Sequence, residues 1–262
     1  MIETTAKITA NKQVAEGIFL LYIESPEIAL DARAGQFIML STGGHGYDPL
    51  LRRPFSICHI NDNQFAVLYR VVGHGTDILA KKCEGQHLSV LGPLGTSFDI
   101  SNINRRKVIM ISGGMGIAPI CFLAQQLESY NKNFLVMAGF STLTAVPLFD
   151  HVCVTNIKIA TDDGSEGYHG FVTDMLEDYL SKSEKPKAIY TCGPFLMMSK
   201  VAEIARYYDI PCQVSMESNM ACGLGACQGC AMCGSDKKYK LVCKNGPVFQ
   251  AEEIDWGKNG KS

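Results

Sequence analysis

Apolar positions in the first hundred residues fall into short runs, at 18–23, 36–40, 55–58, 65–72 and 87–90. Gly, Pro, Asn and Asp separate them, and this spacing predicts an antiparallel sheet or barrel. Residues 76–83 are predicted as a short helix. From about residue 105 the pattern changes. Residues 108–111, 134–140, 157–160 and 188–192 read as strands, and residues 119–130, 172–180 and 195–207 as helices. Strands alternating with helices predict a parallel sheet with both faces covered. The remainder is rich in cysteine. The expected fold class is therefore multi-domain: an antiparallel β-barrel at 1–102, an α/β parallel-sheet domain at 103–214, and a small C-terminal domain at 215–262.

Composition narrows the function classes. The chain is 47% hydrophobic and 19% charged, with a net charge of −2. That supports a packed core and argues against disorder. No basic excess marks a nucleic-acid binder. The uncharged stretch at 108–127 is long enough to suggest a membrane span. However, Gly113, Gly114, Gly116 and Pro119 interrupt it and Ser112, Gln125 and Gln126 are polar, so it reads as strand, turn and helix. With no secretory or lipidation signal visible, the expectation is a soluble, cytoplasmic protein without membrane or nucleic-acid partners.

Five of the eleven cysteines lie between Cys222 and Cys243. In a reducing compartment such clustering points to metal or catalysis rather than disulfides. Cys222, Cys227 and Cys230 have C-x4-C-x2-C spacing, and Cys243 follows after twelve residues, the plant-type pattern for a [2Fe–2S] cluster. Gly223, Gly225 and Gly229 can supply the left-handed turns that wrap a loop around a cluster. Small Ala221 and Ala226 let N–H groups approach the sulfurs. Structural zinc remains an alternative, although its usual spacing is two C-x2–4-C pairs. Cys233 extends Cys227 and Cys230 into the start of a [4Fe–4S] run that the sequence does not complete, and it reads as a spare thiol. Cys58, Cys83, Cys121, Cys153, Cys192 and Cys212 stand singly and read mostly as core residues.

A glycine turn, Gly113-Gly114-Met115-Gly116, joins the 108–111 strand to the helix containing Pro119. Such a turn gathers N–H groups and the positive helix end at one point, which suits a pyrophosphate. Thr161-Asp162 and Cys192-Gly193-Pro194 also follow predicted strands, at the sheet edge where ligands of open α/β folds bind. No Lys or Arg occurs at 138–157, which favours NAD over NADP. In the barrel, Arg52 and Arg53 offer guanidiniums suited to phosphate. Gly75 and Thr76 open a helix beside them. The sequence alone leaves open which of the two arginines faces a ligand.

With these motifs in order, the chain resembles the ferredoxin-reductase-like flavoproteins. That family has an Arg-x-Tyr-Ser motif for FAD and a Gly-Gly-x-Gly-Ile-x-Pro turn for nicotinamide. Here the matches are Arg53-Pro54-Phe55-Ser56 and residues 113–119. Phe55 departs from the family tyrosine and removes a hydroxyl near the flavin. The tail, Met216 through Cys227 and Val242 through Phe249, is similar to the electron-transfer subunits of class 1B dihydroorotate dehydrogenases. The resemblance implies FAD held by Arg53, Pro54, Phe55, Ser56, Leu68, Tyr69, Arg70, Gly75 and Thr76. It implies NAD as co-substrate near Gly113, Gly114, Gly116, Thr161, Asp162, Cys192, Gly193 and Pro194, and a cluster on Cys222, Cys227, Cys230 and Cys243. No catalytic residue is expected in this chain. The implied partner is an FMN-containing dihydroorotate dehydrogenase subunit, in a heterotetramer of two plus two. Electrons would pass between that FMN and NAD through the cluster and FAD, in pyrimidine biosynthesis. Met220, Leu224 and Met232 are candidate contacts for the partner. The alternatives are a subunit of another NAD(P)H- or ferredoxin-linked oxidoreductase, or a zinc-stabilised binding or regulatory module.

Overall fold

The computed structural model describes residues 1–43, 48–103, 106–147 and 156–259; Cys153 lies outside them. Six strands close an antiparallel barrel: β1 (Ile2–Ala15), β2 (Ile18–Glu24), β3 (Phe37–Ser41), β4 (Arg53–Asn61), β5 (Gln64–Arg70) and β6 (His87–Leu94). Their order is β1-β2-β5-β4-β3-β6. Helices α1 (Pro26–Asp31) and α2 (His74–Ala80) sit in its connections. The apolar pattern does not reveal β1. This strand buries only Ala6, Ile8 and Val14, yet it closes the barrel by pairing with both β2 and β6, as in Ile8↔Ile23 and Thr4↔Val90.

The second unit contains β7 (Val108–Gly113), α3 (Ile117–Ser129), β8 (Phe134–Phe140), β9 (Ile157–Thr161), β10 (Tyr168–His169) and α4 (Val172–Lys182). It continues with β11 (Ile189–Cys192), α5 (Phe195–Tyr207) and β12 (Cys212–Ser215). The C-terminal segment adds a hairpin of β13 (Ala231–Cys233) and β14 (Tyr239–Leu241), then α6 (Val242–Asn245), β15 (Val248–Gln250) and α7 (Trp256–Asn259). The large sheet runs β10-β9-β8-β7-β11-β12-β15. All its pairings are parallel except β12 with β15, where Val214 faces Phe249. Thus the cysteine-rich segment supplies the last strand of the large sheet. β7 is buried throughout, as its apolar run requires for a strand covered on both faces.

The units share their cores. Barrel residues such as Ile57 and Phe65 belong to one apolar cluster with Ile120 and Leu123 of α3. Phe37, Met39 and Leu94 belong to a second with Cys230, Val242 and Cys243. Polar ties reinforce the first contact. Ile60 N–H donates to Gln125 Oε1 (3.0 Å) and Ala34 N–H to Gln126 Oε1 (3.1 Å). Gln125 and Gln126 interrupt the uncharged stretch because they face the barrel. No helix among the described residues is long and apolar enough to cross a membrane.

Candidate functional site

A cleft of about 460 Å³ opens between the barrel, the glycine turn and the segment leading to the cysteine loop. Arg53, Pro54, Phe55 and Ser56 of β4, Leu68, Tyr69 and Arg70 of β5, and Gly75 and Thr76 of α2 all line it. Arg53 and Arg52 part company. Arg53 reaches the cleft and donates from Nη1 to the Leu51 carbonyl (2.7 Å). Arg52 turns to the barrel wall, ion-paired with Glu3 and donating to Ser89 Oγ (2.9 Å). Tyr69 stacks on Phe19 and meets Phe55 edge-on; its hydroxyl donates to Asn11 Oδ1 (3.1 Å). Burial pushes that phenol up to about 12 against the opposing hydrogen bond, so it stays protonated. The Thr76 hydroxyl closes its own turn, accepting from Val72 and Gly73 N–H and donating to the Gly73 carbonyl.

The cradle around Gly75 suits an anionic cofactor. A Cβ there would lie 3.4 Å from Arg53 Nε and 3.6 Å from Thr42 Oγ1. The buried Thr42 hydroxyl has no partner among the described residues. A phosphate oxygen is the kind of group that would satisfy both. Glu217, Met216 and Met220 also line the cleft. Glu217 faces the cleft water but is walled by protein, and this desolvation raises its carboxyl above the ordinary value. Sequence reading missed it because an acid beside a cysteine loop looks like a solvated surface charge.

A second cleft, of about 530 Å³, follows the carboxyl ends of β7, β8, β9 and β11. Gly113, Gly114, Asp162 and Pro194 line it, with Phe140, Ser141, Phe171 and Lys200. Gly114 sits at φ +52 with nothing within 4 Å of a Cβ, an open approach to backbone N–H groups. Gly116, Thr161, Cys192 and Gly193 are buried behind this wall. Burial pushes the Cys192 thiol well up, which leaves it a neutral core group. Arg70 lines both clefts, so they adjoin.

The cysteine loop turns its backbone donors onto its sulfurs. Cys222 Sγ accepts from Leu224 N–H (3.3 Å) and Cys227 N–H (3.5 Å). Cys243 Sγ accepts from Gly225 N–H (3.1 Å), Cys227 Sγ from Gly229 N–H (3.5 Å), and Cys230 Sγ from Cys243 N–H (3.5 Å). Gly223 and Gly225 are left-handed, at φ +71 and +80; the third such residue is Gln228, at +58, rather than Gly229. A Cβ on Gly229 would lie 3.7 Å from Cys227 Sγ.

Donors of this kind favour thiolates. They bring the Cys222 thiol down to about 6. Cys230 and Cys243 are buried with their sulfurs 3.2 Å apart, and burial first, then the Cys230 contact, pushes Cys243 up to about 12. A metal cation would draw the protons off such a buried pair, and backbone donors aimed at the four sulfurs suit the charge of an iron–sulfur cluster. Cys233 stands apart on β13, with its N–H on Asn259 Oδ1 and its carbonyl accepting from Asn259 Nδ2. Met232 is buried, a correction to its place among partner-contact candidates, whereas Leu224 is exposed. Of the single cysteines, Cys58, Cys121, Cys192 and Cys212 are buried and Cys83 is exposed.

Comparison with known proteins agrees with this geometry. Residues 217–255 match the family model of the iron-sulfur cluster binding domain of dihydroorotate dehydrogenase B, which favours iron–sulfur over structural zinc. The chain is 37% identical over 251 residues to the dihydroorotate dehydrogenase B (NAD(+)) electron transfer subunit of Clostridium acetobutylicum, covering 96% of each chain. It is 36% identical to that of Listeria monocytogenes, covering 97% and 99%. Among solved structures, an NADH-dependent reduced ferredoxin-NADP oxidoreductase superposes with a TM-score of 0.84 at 30% identity, over 98% of this chain and 91% of that one. Phthalate dioxygenase reductase shares the fold, with a TM-score of 0.64 at 17% identity, over 95% and 77%. With full-length identity above a third, and with its cysteine loop inside the matched iron-sulfur cluster binding domain, the chain belongs to the family of dihydroorotate dehydrogenase B (NAD(+)) electron transfer subunits.

Proposed function

We infer that this chain is the electron-transfer subunit of an NAD-linked dihydroorotate dehydrogenase and works with a catalytic partner subunit. The observation that carries this is contiguity. Arg70 lines both clefts, and Met220 on the first cleft stands two residues before Cys222. FAD, NAD and a [2Fe–2S] cluster, when bound, supply hydride and single-electron chemistry. The chain's own residues hold them. Arg53 offers its guanidinium to phosphate. The Gly113-Gly114 backbone offers N–H groups to pyrophosphate. Cys222, Cys227, Cys230 and Cys243 hold iron, and backbone N–H groups stabilise the charge on their sulfurs.

The finer assignments rest on the same reading. The partner carries FMN and oxidises dihydroorotate, two copies of each subunit assemble in the cytoplasm, and NAD is the physiological acceptor. Division of the chain at 102 and 214 follows the three cofactors. The test is reconstitution. The chain alone should oxidise NADH with artificial acceptors and show no orotate-linked activity. Adding an FMN-containing dihydroorotate dehydrogenase subunit should restore NAD-dependent turnover. Failure of that subunit to bind or couple overturns the reading. Reduction of ferredoxin without it favours the second reading, suggested by the 0.84 TM-score to the ferredoxin-NADP oxidoreductase.

The ligand set has its own test. Cys→Ser at 222, 227, 230 or 243 should lose iron and sulfide per flavin, and Cys233→Ser should retain both. Cluster loss in Cys233→Ser with full retention in Cys243→Ser overturns the set.

A further inference from the structure

The amino edge of the parallel sheet, opposite both clefts, carries a concentration of cations that the net charge of −2 conceals. Register puts it there. Lys107 immediately precedes β7, and Lys187 N–H donates to its carbonyl (2.8 Å) just before β11. Lys158 lies on β9, two strands away. Arg106, Lys107, Tyr179 and Lys185 line a cavity of about 660 Å³ at this edge, with Glu184 as the one carboxylate on the described wall.

Tyr179 organises the site. Lys107 Nζ donates to its hydroxyl (3.2 Å), and the Lys107 and Lys158 ammoniums lie 5.8 and 5.6 Å from its ring centroid. One neutral ring shared by two ammoniums compensates neither charge fully. Lys107, Lys158 and Lys187 have no ion pair among the described residues, and Lys185 pairs only with Asp209, which is fully exposed. Exposed pairs of that kind contribute little. Several cations converging on a concave wall focus a positive potential and attract anions of matching size. The volume is within the range of small-ligand sites, and the wall is too polar for an apolar ligand.

We propose that this cavity binds a soluble di- or polyphosphate, free or carried on a nucleoside, at a site separate from the dinucleotide cleft. Helix α4 joins the two places. Phe171, Val172 and Thr173 at its start line the dinucleotide cleft, and Tyr179 near its end lines the basic cavity. Its eleven residues span roughly 16 Å at 1.5 Å per residue.

The test uses the cofactor-loaded chain with NAD saturating, so that the dinucleotide cleft is filled. Pyrophosphate is titrated by calorimetry, and ADP in a second arm. Saturable binding is expected, weakening roughly tenfold or more in Lys107→Gln and in Lys185→Ala, at an exposed residue of the cavity wall, and falling with salt. Tighter ADP binding assigns a nucleoside source; equal or weaker binding assigns free polyphosphate. Absence of saturable binding with NAD present, or binding unchanged in both variants, overturns the proposal. Lys185→Ala keeps the test valid if Lys107→Gln proves unstable.

Discussion

In the flavin-side cleft, consecutive motif residues 53–56 and 68–70 all reach the ligand space; in the dinucleotide cleft the motif residues divide into a lining layer and a buried layer. The difference is mechanical. Strand ends at a barrel mouth present successive residues to one opening. The two glycine turns of the parallel sheet instead cross back to back. A Cβ on Gly116 would overlap the Cys192 carbonyl and lie 2.6 Å from Gly193 N, and one on Gly193 would lie 2.8 Å from Gly113 N. A glycine motif at the edge of a parallel sheet therefore serves turn-to-turn packing as well as phosphate approach, and only geometry separates the two roles.

Substituting the two glycines is the most severe way to break that contrast. Gly116→Ala places its methyl into backbone, which cannot swing aside as a side chain can. The expected cost is at or above the upper end of the roughly 1–3 kcal/mol typical of overpacking, or about 5 °C or more in Tm. Gly114→Ala meets open space and carries only left-handed strain, on the order of 1 kcal/mol. It should keep the fold and weaken NAD. Thermal unfolding beside NAD titration measures both, and equal melting losses in the two variants would erase the distinction between lining and packing glycines.

The arginine pair sharpens the comparison on the barrel side. Arg53→Ala should lose one charge-assisted contact to FAD, about 1.5–3 kcal/mol, or roughly tenfold or more in affinity. Arg52→Ala removes a part-exposed ion pair with Glu3, and should leave flavin content intact at a stability cost near 0–1 kcal/mol. Flavin-to-protein absorbance ratios after purification decide it; flavin loss in Arg52→Ala with retention in Arg53→Ala reverses the assignment.

The same contrast explains how legible the sequence was. The parallel sheet announced itself because strands such as 108–111 and 134–140 are apolar throughout, and α5 follows the predicted 195–207 helix. Strand β1 was silent: a fourteen-residue strand with only three buried side chains has no apolar run to notice, and its place depends on pairing with β2 and β6. Strand β12, of four residues, exists through its register with β11 and β15, and β15, of three, through its register with β12. Local chemistry carried the cysteine spacing, since one loop contains three of the four cysteines proposed as ligands. The choice between Arg52 and Arg53 was not legible, because it depends on Arg52, just ahead of β4, reaching Glu3 of β1 and Ser89 of β6, residues distant in sequence.

Glu217 gives the smallest expected effect and the most specific one. It is the one carboxylate among the described residues lining the flavin-side cleft, whose other ionisable side chains are Arg53, Tyr69, Arg70 and His74. Surrounding protein already raises its carboxyl above the ordinary value of 4.5, because the charged form loses hydration. A flavin seated in the cleft removes more water and raises it further. The free chain then releases this proton at lower pH than the complex does, so FAD binding takes up protons between the two values. By linkage, affinity is greatest below the free-chain value and declines as pH rises through the value in the complex. Glu217→Gln should hold its affinity across that window, matching wild type at the acid end and exceeding it at neutral pH. The difference between the two pH profiles isolates this carboxyl from the rest of the cleft. Parallel wild-type and Glu217→Gln curves for FAD affinity between pH 4 and 8 would show that the carboxylate remains hydrated beside the bound flavin.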